Sequence, residues 1–175
     1  MSGKIFLISD SHFWHKNIIK YCNRPFDNVE DMNSTLIKNW NSVVDNEDYV
    51  YHLGDFGLGA KNELMSIGNK LNGHKILVMG NHDHMSKTAY KECGFDKVEK
   101  GPLRLRFDGD KRIYLLSHYP ISNLEDNECN IFGHIHNNPM YLTVSSRSYC
   151  VSIERNGYKP ICFDYIKERV RKENK

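Results

Sequence analysis

The order of apolar segments in this 175-residue chain predicts an α/β fold in which two packed β-sheets are flanked by helices. Short apolar runs rich in branched residues alternate with amphipathic helical stretches through the first half, and strand-like runs dominate the second. No internal repeat, low-complexity tract or Pro/Gly/Ser-rich linker divides the sequence, so a single domain over residues 1–175 is expected.

The strand candidates are Lys4–Ser9, Asp48–Leu53, Lys75–Met79, Leu103–Phe107, Arg112–Ser117, Asn130–Phe132 and Tyr149–Glu154. Between the fourth and fifth, Asp108-Gly109-Asp110 carries the turn chemistry of a hairpin. The best helix candidate runs from Val29 to Val44. There Met32, Leu36, Trp40 and Val43 recur every three or four residues and make one apolar stripe. Further helices are expected at Asn62–Leu71, at Ser86–Cys93 after the Asn81-His82-Asp83-His84 loop, and at Asp164–Lys172.

A hydrophobic fraction of 39% and a charged fraction of 26% match an ordinary globular protein. The net charge of +2 and pI of 8.2 are too mild to announce a nucleic-acid binder by electrostatics alone. No segment approaches the ~18 apolar residues of a membrane span, and the run Ile5 to Ile8 is too short for a secretory signal. A cytoplasmic protein with no membrane partner and no obligate protein partner is expected. The cysteines (Cys22, Cys93, Cys129, Cys150, Cys162) are odd in number and scattered, with no C-x-x-C pair. That argues against a disulfide framework and a thiolate zinc site, and leaves free thiols.

Nine histidines are many for this length, and most follow an apolar run directly. After the first strand comes Asp10-Ser11-His12. In an extended segment, residues two apart point to one side, so Asp10 and His12 can converge on one ion. The second strand ends in Gly54-Asp55 and the third in Gly80-Asn81-His82-Asp83. The fifth ends in Ser117-His118 and the sixth in Gly133-His134-Ile135-His136. Each motif alone is weak: a lone histidine after a strand is more often structural than a ligand, and a Gly-Asp pair is usually a turn. All five in one order, each at a strand end, are not explained by chance.

This series resembles the calcineurin-like metallophosphoesterase superfamily, with motifs spread from residue 10 to residue 136. The segment from Ser9 to Ile19, with Arg24-Pro25-Phe26 after it, looks like a small single-domain bacterial and phage branch whose members name no substrate. The resemblance implies a four-layer α/β/β/α sandwich with two mixed sheets and a metal site at the strand ends. It implies that Asp10, His12 and His136 hold one metal ion, that Asn81, His118 and His134 hold the other, and that Asp55 bridges them. Mixed carboxylate, imidazole and amide ligation suits a divalent first-row metal, Mn first, with Fe, Co, Ni or Zn as alternatives.

The expected chemistry is in-line attack of a metal-bridging hydroxide on the phosphorus of a phosphate ester. His82, the histidine of the set that the family leaves unligated, is expected to protonate the leaving oxygen as general acid. Asp83 is expected to orient its ring. His15 and Arg24 are candidates for substrate contact, Arg24 as a phosphate clamp. The alternatives are a loop-supporting His15 and a structural Arg-Pro-Phe turn. His84 is a weaker candidate, His52 is read as packing or as a support behind the ligands, and His74 as exposed. Phe13, Trp14 and Tyr119 could stack on a base but are read as pocket walls.

Protein phosphatases of the superfamily carry arginine just before Gly-Asn-His, where this chain has Met79. A phosphodiester is therefore the expected substrate, as a nucleotide, a cyclic nucleotide or a nucleic-acid end. The alternative is a monoesterase acting on a small metabolite or nucleotide. A non-catalytic scaffold would show eroded ligands, and none is missing. A binding module without hydrolysis would not need them. The polar Met140–Ser148 stretch is a candidate for ordering over the site.

Overall fold

Alternation along the first strand decides how the molecule is layered. In β1 (Ile5–Ile8), Phe6 and Ile8 enter one apolar core and Leu7 enters a second, the period-two pattern of a strand buried on both faces. The computed structural model describes residues 3–107, 109–139 and 145–172. Next to β1 run β2 (Tyr49–His52), β3 (His74–Val78) and β4 (Lys97–Glu99), all parallel, with β9 (Ile161–Cys162) antiparallel on the other side of β1. This sheet has the order β4-β3-β2-β1-β9.

The second sheet has the order β5-β6-β7-β8, from β5 (Leu103–Leu105), β6 (Ile113–Ser117), β7 (Glu128–Phe132) and β8 (Ser148–Cys150). β5 and β6 pair antiparallel, as the hairpin expectation required, and β6, β7 and β8 are parallel. Asp110 shapes the return by accepting from the Arg112 amide and the Tyr114 hydroxyl. Asp108 of the expected turn lies outside the described residues, as do residues 140–144 of the Met140–Ser148 stretch.

Helices α1 (Ile18–Tyr21), α2 (Val29–Asn41), α3 (Lys61–Gly68) and α4 (Lys87–Glu92) give apolar residues to the first core, with Phe6, Val50 and Leu77 of the sheet. α2 starts where Asn28 accepts from the Asp31 amide at 2.8 Å, and its stripe of Met32, Leu36 and Trp40 is buried. It stops three residues before the expected Val44, where the Val43 and Val44 amides both turn back to the Trp40 carbonyl. Ser86 caps α4 by accepting from the Ala89 amide. The second core joins Leu7 and Val78 of the first sheet, and Leu53 just past β2, to Tyr114, Leu116 and Ile131 of the second, with Phe163, Ile166 and Val170 of α5 (Phe163–Lys172). Among the described residues no helix is long and apolar enough to cross a membrane.

One further boundary is corrected. The strand expected over Tyr149–Glu154 ends at Cys150, and the chain enters a 3-10 turn at Ile153–Arg155. The cause is Ser152, which bridges to Ser9 and turns its hydroxyl onto Asp10. The short elements α1, β4 and β9 carry too few residues to show a period and were not expected.

Candidate active site

All five motifs fall at the ends of the parallel strands and meet where the two sheets adjoin. The pairs Asp10/His12 and His134/His136 do not converge through extended backbone, as expected from the sequence. Asp10 (φ 59°), His12 (51°), His134 (70°) and His136 (46°) are all left-handed, and so is Asp55 (59°). Asp and His tolerate this region better than most residues, yet each such position costs on the order of 1–3 kcal/mol. Packing is equally tight at Gly80, where an added Cβ would lie 2.3 Å from Asp55 Oδ1. At Gly133 it would lie 2.4 Å from Ser9 Oγ.

Two groups of side chains result. Asp10, His12 and His136 offer donor atoms within 4.8 Å of one another, and Asp55, His118 and His134 do the same. Asp55 Oδ2 lies between the groups, 3.5 Å from His12 Nε2 and 3.4 Å from His118 Nε2. Asn81 joins the second group, with Oδ1 2.8 Å from His118 Nε2.

The donor chemistry fits metal ions. His118 Nδ1 faces the Leu53 carbonyl at 2.8 Å; a carbonyl only accepts, so Nδ1 donates, and a ring carrying that one proton leaves Nε2 with a lone pair. Around that lone pair stand Asn81 Oδ1, Asp55 Oδ2 and, at 3.2 Å, His134 Nδ1. One proton could satisfy one of these contacts; a cation satisfies them together. In the other group His12 Nε2 is buried with no hydrogen-bond partner. Burial, reinforced by the His136 and Arg24 charges, pushes the His12 pKa far down, and burial with the His118 charge lowers that of His134. Both rings are thus held in the neutral form that ligates. Burial raises the Asp55 pKa, the mark of a carboxylate that lacks compensating charge.

Asp10 and His136 are held from behind. Ser9 Oγ and Ser152 Oγ donate to Asp10 Oδ2 at 2.6 and 2.7 Å, and the His134 amide donates to the same carboxylate. His136 Nδ1 donates to Glu154 Oε1 at 2.9 Å. Cys22, His136 and Glu154 form a further possible donor group, in which His136 Nδ1 and Glu154 Oε1 are already hydrogen-bonded to each other. Burial lowers the His136 pKa; the bonds to Cys22 and Glu154 and the Asp10 charge outweigh it and raise the value to about 10.

The remaining expected residues separate clearly. His82 is half-buried, its ring centroid 5.4 Å from that of His12 and its amide donating to Asp55 Oδ1 at 2.8 Å. His15 lies beside both, with Nδ1 3.2 Å from His12 Nδ1 and its ring 6.1 Å from His82. Arg24 is not available as a phosphate clamp. Its side chain is 0% exposed, paired with Glu154 Oε1 and donating to the Asp10 and Ser11 carbonyls at 2.7 and 2.9 Å. The structural alternative for the Arg-Pro-Phe turn is the one observed.

Asp83 does not orient the His82 ring. It accepts from the Asp55, Phe56 and Gly80 amides and from the Tyr90 hydroxyl, and so ties two motif loops together. His52 is packing, as expected: it is fully buried, with Nε2 2.7 Å from Ser11 Oγ. His84 is exposed beside His82, and His74 is exposed over Tyr49. Phe13 is buried, while Tyr119 is 51% exposed with its ring against His134. Glu154, Tyr90, Ser9 and Ser152 were not found from the sequence; only the position of Glu154 just past the last strand of the second sheet pointed to it.

A family model described as the calcineurin-like phosphoesterase superfamily domain matches residues 4–151. An uncharacterized protein of Methanocaldococcus jannaschii is 41% identical over 180 residues, covering 97% of this chain and 92% of its own length. The gene 66 protein of Mycobacterium phage L5 is 32% identical over 179 residues, covering 85% and 86%. Among solved structures, a protein of unknown function from Aquifex aeolicus matches with a TM-score of 0.76 at 32% identity, over 95% of this chain and 98% of its own. A nuclease from Pseudomonas putida shares the fold, with a TM-score of 0.50 at 17% identity over 75% of this chain and 61% of its own. Two groups of side chains able to hold a metal ion at the strand ends, in a chain that the family model covers over most of its length, lead to one conclusion: the chain belongs to the calcineurin-like phosphoesterase superfamily and is a metal-dependent hydrolase of phosphoric esters.

Proposed function

We propose that this is a cytoplasmic phosphodiesterase acting on a nucleotide, a cyclic nucleotide or a nucleic-acid end, with His82 as general acid. Asp10, His12 and His136 would hold one divalent ion, and Asn81, His118 and His134 the other, with Asp55 shared; Mn²⁺ is the ion we favour. The observation that carries the reading is Asp55 Oδ2, placed within 3.5 Å of an imidazole nitrogen from each group. Such a pair of ions would supply Lewis acidity and lower the pKa of water to the neutral range.

The chain's own residues then have defined tasks. Asp83 holds the Gly80 and Asp55 amides together, which sets Asn81 and His82 against the shared carboxylate. His82, half-buried at the open side, protonates the leaving oxygen as water oxygen bonds to phosphorus and the ester P–O bond breaks.

Among the described residues, the guanidinium groups nearest the site, Arg24 and Arg155, are spent on Glu154 and on backbone carbonyls, which favours a diester. A monoester carries about −1.5 to −2 charges near neutral pH, against one for a diester, and suits an arginine clamp. Arg24 is turned into the protein, and Met79 packs against the first core. The nuclease likeness is one of fold and leaves the substrate to experiment.

The test uses chelator-stripped protein given Mn²⁺, following nitrophenol release from a bis-nitrophenyl phosphate diester beside the matching monoester. Metal-restored hydrolysis that prefers the diester is expected. A monoester preference overturns the substrate class and retains the enzyme class.

A further inference from the structure

Large exposed aromatic side chains are few, and two of them flank the candidate centre. Tyr21 is 73% exposed and Tyr119 is 51% exposed. Contacts run from one ring to the other across the site. Tyr21 meets His15 at 6.2 Å between ring centroids, and His15 meets His12 at 5.1 Å. His12 and His118 both approach Asp55, and His118 meets Tyr119 at 5.1 Å. The rings thus stand at the two ends of the contact path, with the shared carboxylate and His82 between them.

Each ring also opens on its own cavity. Tyr21, His134, His136 and Asn138 line one of about 350 Å³. Tyr119, Asn81, His118 and Lys100 line another of about 330 Å³. Both lie within the roughly 300–1,000 Å³ typical of small-molecule sites. Both rings sit on ordered backbone: Tyr21 ends α1 with its amide on the Asn17 carbonyl, and the Tyr119 carbonyl accepts from Ser117 Oγ at 2.6 Å. Lys100 is exposed and makes no ion pair among the described residues, so a cation is free beside the second cavity.

We infer that Tyr21 and Tyr119 are base-stacking platforms for a single strand of nucleic acid, one base against each ring and the scissile diester between them, with Lys100 facing an adjoining phosphate. The inference rests on the phosphodiesterase reading above and narrows its substrate. Stacking on aromatic rings is tolerant of base identity, so the site would read the polymer and not its sequence.

The test compares Mn²⁺-loaded wild type with Tyr21→Leu, Tyr119→Leu and Tyr119→Trp. The substrates are an oligothymidylate, an oligouridylate and methyl nitrophenyl phosphate, a diester without a base. Wild type is expected to cleave at least one strand, and the type cleaved identifies the sugar. Each leucine variant should raise KM on that strand about 5- to 150-fold. That loss should exceed any loss on the small diester at least fivefold, and Tyr119→Trp should recover it. Equal losses on both substrates, undiminished strand cleavage in both leucine variants, or hydrolysis of the small diester with neither strand cut would overturn the inference alone. Hydrolysis of no diester by wild type would overturn the phosphodiesterase reading and the inference with it.

Discussion

Replacing Glu154 by glutamine should weaken one metal position and spare the other. Glu154 Oε1 receives Arg24 Nη2 at 2.7 Å, Arg24 Nε at 3.0 Å and His136 Nδ1 at 2.9 Å. The Arg24 and Glu154 side chains are 0% and 2% exposed. Arg24 carries the constraint onward to the Asp10 and Ser11 carbonyls. One buried carboxylate therefore holds all three candidate ligands of the first group: His136 directly, Asp10 and His12 through their loop. Among the described residues, no hydrogen bond connects Glu154 or Arg24 to His118 or Asn81. Glu154 Oε2 is buried without a partner, so a glutamine amide placed there would be a donor with nothing to bond.

Breaking a buried ion pair on one side costs about 3–5 kcal/mol. At about 2–4 °C per kcal/mol for a chain of this size, the metal-free variant should melt roughly 6–20 °C lower. Loss of a hydrogen-bond partner behind a metal-bound histidine costs about 10–100-fold in metal affinity. Calorimetric titration of stripped Glu154→Gln with Mn²⁺ should show one ion weakened by that factor and the other near its wild-type affinity. Unchanged melting and affinity, or equal weakening of both ions, would refute the role given to Glu154.

Three further outcomes follow from the same geometry. His82→Ala should keep both ions and lose about 10²–10⁴-fold in kcat, most with poor leaving groups; equal rates on good and poor leaving groups would remove it as the acid. Asp83→Asn weakens the carboxylate's grip on the Asp55 and Gly80 amides and the Tyr90 hydroxyl. It should lower kcat and metal affinity together, and a change in KM alone would contradict this. His136 is raised from 6.5 to about 10 in the metal-free protein, so its stabilising contribution is complete below pH 6.5 and lost as pH rises through about 10. Stability of the stripped protein should fall over that window, and metal uptake below it should release a proton. A flat profile, or no proton release when two buffers of different ionisation enthalpy are compared, would contradict the assignment.

The sequence exposed the donors more readily than what holds them. Asp10, His12, Asp55, Asn81, His118, His134 and His136 were legible because each follows an apolar run and the spacing repeats. Their convergence was anticipated for the wrong reason, since left-handed φ values at five of them replace the extended backbone assumed from the strand pattern. Arg24 and Glu154 are 130 positions apart in sequence, and no local pattern joins them. An arginine near a predicted phosphate site invites a clamp reading until burial shows that its charge is used inside. Asp83 was read as a partner of its neighbour His82, whereas its oxygens reach to Asp55, Phe56 and Tyr90. The longer strands and α2 were visible from period alone, but three-residue β4 and two-residue β9 have none to show.

The most direct test of the dinuclear centre is anomalous diffraction from crystals grown with Mn²⁺. Two peaks roughly 3.5–4 Å apart are predicted, one beside Asp10, His12 and His136, the other beside Asn81, His118 and His134, with Asp55 touching both. A single peak, or a peak between Cys22, His136 and Glu154 in place of the pair, would contradict it.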